Sequence, residues 1–273
     1  CNTAIISSNR VEYSANSEIS GLCISLQSGA VYLPSSNTKC RNITISNNVF
    51  VNDVTDVAVC IGVYSYDWGA WSENIVIDSN AAINFRRLVS VKGPFNGVKI
   101  SDNQSISTSG NVCGIIELAH TAGINSSYGA QANSYFNDLD IVNNTIGSLG
   151  NNGFISIDMT AISTTAYMGA FNISSNVIDS TPALSGNIGI SVNLRSATPS
   201  NTTLTLDNNF IQRYNYAFQL VECGNVVLTN NKSKKNTNYL IQSGNLTFNA
   251  HGNITRNGSL FGRSKLAGGS VTV

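Results

Sequence analysis

A short motif recurs along the chain and constrains the fold more than any other feature. Its fullest form, Ile-Thr-Ile-Ser-Asn-Asn at residues 43–48, alternates apolar and polar residues and closes on an asparagine. Consecutive closing asparagines are 39, 32, 23, 41, 32, 33 and 22 residues apart. The shortest steps indicate a unit of about 22 residues, with loops inserted into the longer ones. Such a repeat is typical of stacked supersecondary units. The closing residues are Asn9, Asn48, Asn80, Asn103, Asn144, Asn176, Asn209 and Asn231.

A second strand-like run lies between consecutive motifs, for example at residues 22–27, 154–158 and 188–193. Its apolar residues alternate with period 2, which marks a half-buried strand, and no stretch keeps a helical stripe. We therefore predict an all-β fold, a parallel β-helix of about eight to nine coils stacked ~4.8 Å apart. An antiparallel sandwich is the alternative, but it needs hairpin turns that the strand junctions lack.

The closing asparagines are expected to form a ladder at one turn of the coil. Asparagine tolerates the left-handed conformation, so we assign that conformation to the closing residue itself. Its amide is expected to bond to the equivalent residues above and below.

Composition excludes several classes of protein. Charged residues make up 11% of the chain and the net charge is zero, whereas nucleic-acid binders carry basic patches. No apolar run is long enough for a membrane helix, so neither nucleic acid nor membrane insertion is predicted. We find no signal peptide and expect a fragment that begins within a coil.

We divide the chain into a β-helix body over residues 1–250 and a terminal partial coil, cap or connection over residues 251–273. The tail is expected to lose the register, with His251 in the place of the next ladder asparagine.

The chain has six cysteines and no Cys-x-x-Cys pair, so we predict no zinc site, no other metal and no cofactor. Cys1 and Cys40 occupy equivalent places in consecutive units, and Cys23 and Cys60 align in their strands. Such pairs suit either disulfides or a buried row of thiols. We favour reduced cysteines, because a free thiol packs well as a small hydrophobe.

Two acids stand out when the second run is aligned on its inward residues. Glu117 and Asp158 are the only carboxylates at the outward positions, one coil apart and offset by two residues, so their Cα atoms should lie ~8 Å apart. Such a pair fits glycoside hydrolysis, in which one acid protonates the leaving oxygen and the other activates water or attacks the sugar carbon. The spacing favours the inverting arrangement. The aligned inward residues are Ile24, Ile61, Val89, Ile116, Ile155, Ile190 and Phe218.

Further candidates surround this pair. Lys92 and Arg195 carry the positive charge that binds acidic sugars or stabilises developing charge. Long insertions after the second run supply aromatic rings, whose flat faces and polar edges suit sugars. The polar candidates for substrate binding are Lys92, His120, Asn193 and Arg195. The aromatic candidates are Tyr64, Trp68, Tyr128 and Tyr167.

The phrase Asn-Ile-Thr-Ile-Ser-Asn-Asn-Val-Phe at residues 42–50 resembles the right-handed parallel β-helices of the pectin-lyase-like superfamily. It is similar above all to bacteriophage tailspikes and related polysaccharide depolymerases, over about residues 2–250. The resemblance implies a homotrimer on the virion tail that acts outside the cell. It further implies that the protein binds and cleaves a bacterial capsule, exopolysaccharide or O-antigen.

No active site of a family member transfers to this chain. The Asn-x-Asp, Asp-Asp and Gly-His-Gly motifs of polygalacturonases are absent, as is the acidic calcium cluster of pectate lyases. The same fold carries lyases and adhesins. Two alternatives to a hydrolase therefore stay open: a non-catalytic glycan-binding adhesin or receptor-binding β-helix, and a polysaccharide lyase that uses Lys92, His120 or Arg195.

Overall fold

The structure is a computed structural model that describes residues 2–13, 22–28, 39–52, 59–65, 71–85, 87–107, 115–119, 135–148, 154–159, 167–180, 188–194, 202–234, 236, 238–243, 246–256 and 271–272. These residues form strands and turns, and none of them is helical. The prediction of an all-β fold is confirmed. No helix in this part of the chain offers the length and apolar character needed to cross a membrane.

The strands are short and follow one another closely. The first half of the chain contains β1 (Ala4–Ser7), β2 (Arg10–Tyr13), β3 (Leu22–Ser28), β4 (Arg41–Ser46), β5 (Val49–Asn52), β6 (Val59–Ser65), β7 (Ser72–Asp78), β8 (Ala81–Ile83), β9 (Arg87–Lys92), β10 (Phe95–Ser101), β11 (Gln104–Ser107), β12 (Ile115–Ala119), β13 (Tyr135–Val142) and β14 (Thr145–Ser148). The second half contains β15 (Ile155–Asp158), β16 (Tyr167–Met168), β17 (Ala170–Ser174), β18 (Val177–Ser180), β19 (Ile188–Asn193), β20 (Thr203–Asp207), β21 (Phe210–Gln212), β22 (Tyr216–Val221), β23 (Gly224–Thr229), β24 (Lys232–Lys234), β25 (Asn238–Ser243), β26 (Leu246–His251), β27 (Ile254–Arg256) and β28 (Val271–Thr272).

These strands build three sheets that the chain visits in turn. The first sheet has the order β1-β4-β7-β10-β13-β17-β20-β23-β26-β28, with β16 beside β13. The second sheet runs β2-β5-β8-β11-β14-β18-β21-β24-β27, and the third runs β3-β6-β9-β12-β15-β19-β22-β25. Every pairing among the described strands is parallel. An antiparallel sandwich is therefore excluded for this part of the chain.

The core consists of inward residues repeated from strand to strand. In the first sheet Ile45, Ile77, Ile100 and Ile141 lie in register and are fully buried. Phenylalanines are buried in the same core, and Phe95 meets Phe136 edge to face with ring centroids 5.6 Å apart. Because each fully buried side chain of this size contributes roughly 1.5–3 kcal/mol, the repeated rows supply most of the driving force for stacking.

An asparagine ladder joins the first sheet to the second. In each step the main-chain N–H and the side-chain Nδ2 of one asparagine donate to the Oδ1 of the next, as Asn144 does to Asn176 at 2.9 and 3.0 Å. The same Nδ2 of Asn144 also donates to the carbonyl of Ile100. The predicted bonding between neighbours is confirmed. The members are Asn9, Asn48, Asn80, Asn103, Asn144, Asn176, Asn209, Asn231 and Asn253.

The left-handed residue of this turn is the one before the ladder asparagine, so the sequence-based assignment was wrong by one position. Asn47, Asp102 and Ser175 have φ angles of 55°, 56° and 57°. Their N–H groups bond to the next strand of the first sheet, as the N–H of Ser175 does to the carbonyl of Asp207 in β20. The ladder asparagine is held in place by its side-chain bonds and does not need the left-handed conformation.

The tail keeps the register further than the sequence analysis expected. His251 lies opposite Thr229 and does not replace a ladder asparagine. Gly252 takes the left-handed position with φ 67°, and Asn253 accepts from the N–H of Asn231 at 3.0 Å. The pairing then continues in β27 and β28.

Cys23, Cys60 and Cys223 are free thiols, which agrees with the prediction of reduced cysteines for Cys23 and Cys60. Cys1, the predicted neighbour of Cys40, lies outside the described residues. Cys23 and Cys60 fall at equivalent positions of β3 and β6, between the paired residues on either side of them. Burial raises the pKa of Cys23 to about 11. Burial, and then the neighbouring Cys23, raise the pKa of Cys60.

Candidate functional site

The candidate site lies on the outer face of the third sheet. Ile116 lies opposite Ile155, Ile155 opposite Ile190, and Ile190 opposite Phe218. Ile155, Ile190 and Phe218 are buried, so the residues between them point outward because side chains alternate along a strand. The predicted alignment of this sheet is confirmed.

The register places Glu117 opposite Ser156 and Asp158 opposite Ala119. The two acids are therefore on neighbouring strands and offset by two residues, which corresponds to a Cα separation of about 8 Å from strand geometry. The side chain of Asp158 is exposed. Of Glu117 the structure describes the backbone alone.

Beyond Asp158 the outer face is open and polar. Asp158 lies opposite Asn193, and Ser156 lies opposite Ser191, whose hydroxyl donates to Gln219 Oε1 at 3.1 Å. We call Ser156, Asp158, Ser191, Asn193 and Gln219 the polar strip. Hydroxyl, amide and carboxylate groups supply the donors and acceptors that sugar hydroxyls require.

On the other side of Glu117 the outer face is covered. Gly62 and Ser90 are buried although they point outward, and Tyr64 is 9% exposed. Within the described part of the chain the hydroxyl of Ser90 has no hydrogen-bond partner, an arrangement that costs roughly 1–3 kcal/mol. These outward positions of β6 and β9 are therefore buried, although alternation places them on the outer face. A ligand on this face reaches the polar strip but not Ser90.

Lys92 lies at the edge of the covered part. It pairs in register with Tyr64 on one side and Ala119 on the other. Its ammonium nitrogen is 5.8 Å from the centroid of the Tyr64 ring, within the range of a cation–π contact. Tyr64 therefore supports Lys92 and presents little of its own surface to a ligand.

The remaining predicted binding residues are not brought together by the described structure. Trp68, His120, Tyr128 and Arg195 lie outside the described residues. Tyr167 begins β16 and lies opposite Tyr135 of β13, so its backbone belongs to the first sheet and not to the third. Its side chain is not described.

A contact that the sequence analysis missed involves Trp71. The ammonium nitrogen of Lys39 lies 3.2 Å from its ring centroid, and the adjacent Arg41 forms an ion pair with Glu73 at 3.4 Å. Desolvation and the charge of Arg41 lower the pKa of Lys39, while Glu73 opposes them. Lys39 thus occupies one face of the indole ring. The contact joins residues that precede two different strands, β4 and β7, so no local sequence pattern predicts it.

Within the described residues no group of three or more His, Cys, Asp or Glu side chains could hold a metal ion. Comparison of the chain with protein-family models, with curated proteins and with solved structures gave no match. A function must therefore be argued from the fold and the site alone.

Proposed function

We propose that this chain is the body of a tailspike-type depolymerase that binds and cleaves a bacterial surface polysaccharide: a capsule, an exopolysaccharide or an O-antigen. The observation that carries the proposal is the position of Glu117 and Asp158 on one face, on neighbouring strands and two residues apart. The adjoining polar strip supports it, because its neutral groups suit a polymer rich in hydroxyls.

The proposal includes a right-handed parallel β-helix. Three parallel sheets that receive strands in a fixed order support the winding. Parallel crossover connections are right-handed in nearly all known cases, which supports the hand. By resemblance, three such chains assemble on a virion tail and act outside the host cell without a cofactor.

The proposed reaction is hydrolysis of a glycosidic bond. One carboxylic acid donates its proton to the leaving oxygen, and the other carboxylate removes a proton from the water that attacks the sugar carbon. The Cα atoms of the two acids are about 8 Å apart by strand geometry. Carboxyl groups held at a similar distance would leave room for that water, which is the inverting arrangement. Asn193 and Ser191 would hold sugar hydroxyls beside Asp158. Lys92 would attract an acidic sugar, with His120, Arg195 and the aromatic loop residues as further contacts.

Glycan binding without cleavage is the second candidate. The polar strip favours it, since four of its five side chains are neutral hydrogen-bonding groups and Asp158 is its one carboxylate. Such a surface suits a receptor-binding protein as well as an enzyme.

The test is incubation with a panel of purified capsular polysaccharides, exopolysaccharides and O-antigens, followed by assay of reducing ends and of ultraviolet absorbance. New reducing ends without absorbance support the hydrolase. Absorbance from unsaturated uronates would indicate that the chain is a lyase and not a hydrolase. Retention of a glycan without any cleavage supports the second candidate.

A further inference from the structure

The outer face of the second sheet carries an unusual run of uncharged, mostly apolar side chains. Phe50, Ala82 and Ile146 point into the core and are buried, so their neighbours along each strand point outward. From β5 to β14 none of these outward side chains is charged. They are Val49, Val51, Ala81, Ile83, Gln104, Ile106 and Thr145.

The apolar residues of this run form continuous rows. Val51 lies opposite Ile83, and Ile83 opposite Ile106. Further along the sheet Val177 is 38% exposed and lies opposite Phe210. The corresponding face of the first sheet differs, because Asp78, Lys99 and Asp140 point outward from three consecutive strands. The centre of the outer face of the first sheet thus carries charged side chains, whereas the centre of the outer face of the second sheet carries none.

Charges lie at both ends of this face. β2 carries the exposed pair Arg10–Glu12 at 2.6 Å. At the other end Arg213 bonds to Asp179, and Lys232 is exposed. An apolar centre bounded by charged residues is the usual anatomy of a protein–protein interface.

The repeat itself indicates which partner fits. A second copy of the chain carries the same rows at the same ~4.8 Å spacing, so two such faces can match strand by strand. In a closed assembly whose axis runs along the stack, residues near the axis meet their own equivalents. If the first sheet faced the axis, the like charges of the copies would therefore face each other. The centre of the outer face of the second sheet carries no charge, so this repulsion would not arise there.

We infer that the outer face of the second sheet from β5 to β14 is the surface through which copies of this chain associate. This deepens the assembly part of the proposed function and rests on it for the expectation that copies associate. The surface lies on a different sheet from Glu117 and Asp158. Its test measures mass and needs no glycan, so failure of cleavage and failure of this inference are separate results.

The experiment is analytical ultracentrifugation of the full 273-residue chain over a range of concentrations. Ile83→Lys places a charge at the centre of the surface, and Val227→Lys places one on the outer face of the first sheet as a matched control. We expect an oligomer for the wild type and the control, and a folded monomer for Ile83→Lys. Circular dichroism checks the fold. Should Ile83→Lys unfold, the neutral Ile106→Gln is expected to raise the dissociation constant about tenfold.

A monomeric wild type overturns the inference. So does an Ile83→Lys or Ile106→Gln protein that associates as tightly as the wild type. Equal weakening by Val227→Lys overturns the assignment to the second sheet.

Discussion

The asparagine ladder and the row of outward residues that contains Glu117 both run from strand to strand across the parallel sheets. The residue is constant along the ladder and varies along the row on the outer face of the third sheet. Along the ladder, eight successive steps repeat the same residue and the same pair of bonds. Along the outer face of the third sheet, the residue in the row that contains Glu117 changes from strand to strand. That row reads Ser25, Gly62, Ser90, Glu117, Ser156, Ser191, Gln219 and Ile241.

The difference follows from what each row must satisfy. At the ladder, buried main-chain groups such as the N–H of Asn103 and the carbonyl of Ile100 have their partners in the amide of Asn144, and a buried group without a partner is costly. In the row that contains Glu117, the hydroxyl of Ser191 bonds to the side chain of Gln219 and not to a main-chain group. A residue that departs from the serine pattern there, such as Glu117, is therefore free to serve a function.

The largest effect is expected from the two acids. Glu117→Gln and Asp158→Asn should each reduce the rate of polysaccharide cleavage about 10²–10⁴-fold, the usual contribution of a general acid or base. The free energy of unfolding should hardly change. Reducing-end assays measure the rate, with Ser174→Ala on the first sheet as the control. Full activity in both variants would refute the assignment.

Asn144→Ala should have the largest effect on stability. It leaves the N–H of Asn103 and the carbonyl of Ile100 without their side-chain partners, and we expect a loss of about 3 kcal/mol. Denaturant unfolding measures it. Thr145→Ala, on the adjacent exposed residue, should cost less than about 0.5 kcal/mol. Equal losses of stability in the two variants would show that the hydrogen bonds of the ladder asparagine contribute nothing beyond the packing of its side chain.

The thiols of Cys23 and Cys60 predict a decline in stability at alkaline pH. Burial raises the pKa of Cys23 from 9.0 to about 11, so the thiolate forms more readily in the unfolded chain. The stabilisation is fully present below pH 9 and is lost as the pH rises towards 11. We expect a loss of about 1 kcal/mol, allowing for the partial exposure of Cys23. Unfolding at pH 8 and pH 10.5 should show a smaller difference in the Cys23→Ala, Cys60→Ala double variant. If the difference in stability between pH 8 and pH 10.5 is the same in the double variant as in the wild type, the two thiols do not cause the decline.

The smallest expected effect concerns the left-handed position before the ladder. Ser175 has φ 57°, and Ser175→Gly should stabilise by about 0.5 kcal/mol because glycine adopts this conformation without strain. Its neighbour Ser174 lies in β17, where Ser174→Gly should destabilise by about 0.5–1 kcal/mol. Thermal unfolding of the pair distinguishes them. Changes in stability of the same sign for the two variants would mean that the left-handed conformation of Ser175 carries no strain.

The parallel strands and the register of the third sheet were predictable because an inward apolar residue recurs at one place in every unit. Ile155 and Ile190 could be aligned from alternation alone, and with them Glu117 and Asp158. The tail was misjudged for a physical reason. Glycine adopts the left-handed conformation freely, so Gly252 can occupy the position that serine, asparagine or aspartate occupies before the other ladder asparagines, and the ladder continues at Asn253.

Other features of the site had no local signal. Alternation indicates on which side of a strand Ser90 lies but not what covers that side, so the burial of Ser90 and Tyr64 could not be predicted. The contact of Lys39 with Trp71 depends on how the segments before β4 and β7 pack together. Such contacts arise from packing across the repeat and not from the pattern within it.

The most direct test of the account is a crystal structure of the Asp158→Asn protein with an oligosaccharide that the wild type releases from its polysaccharide. The account predicts a sugar on the outer face of the third sheet, within hydrogen-bond distance of residue 158 and Asn193, with a glycosidic oxygen beside Glu117. An oligosaccharide bound on another face, without contact to Glu117 or residue 158, would contradict it.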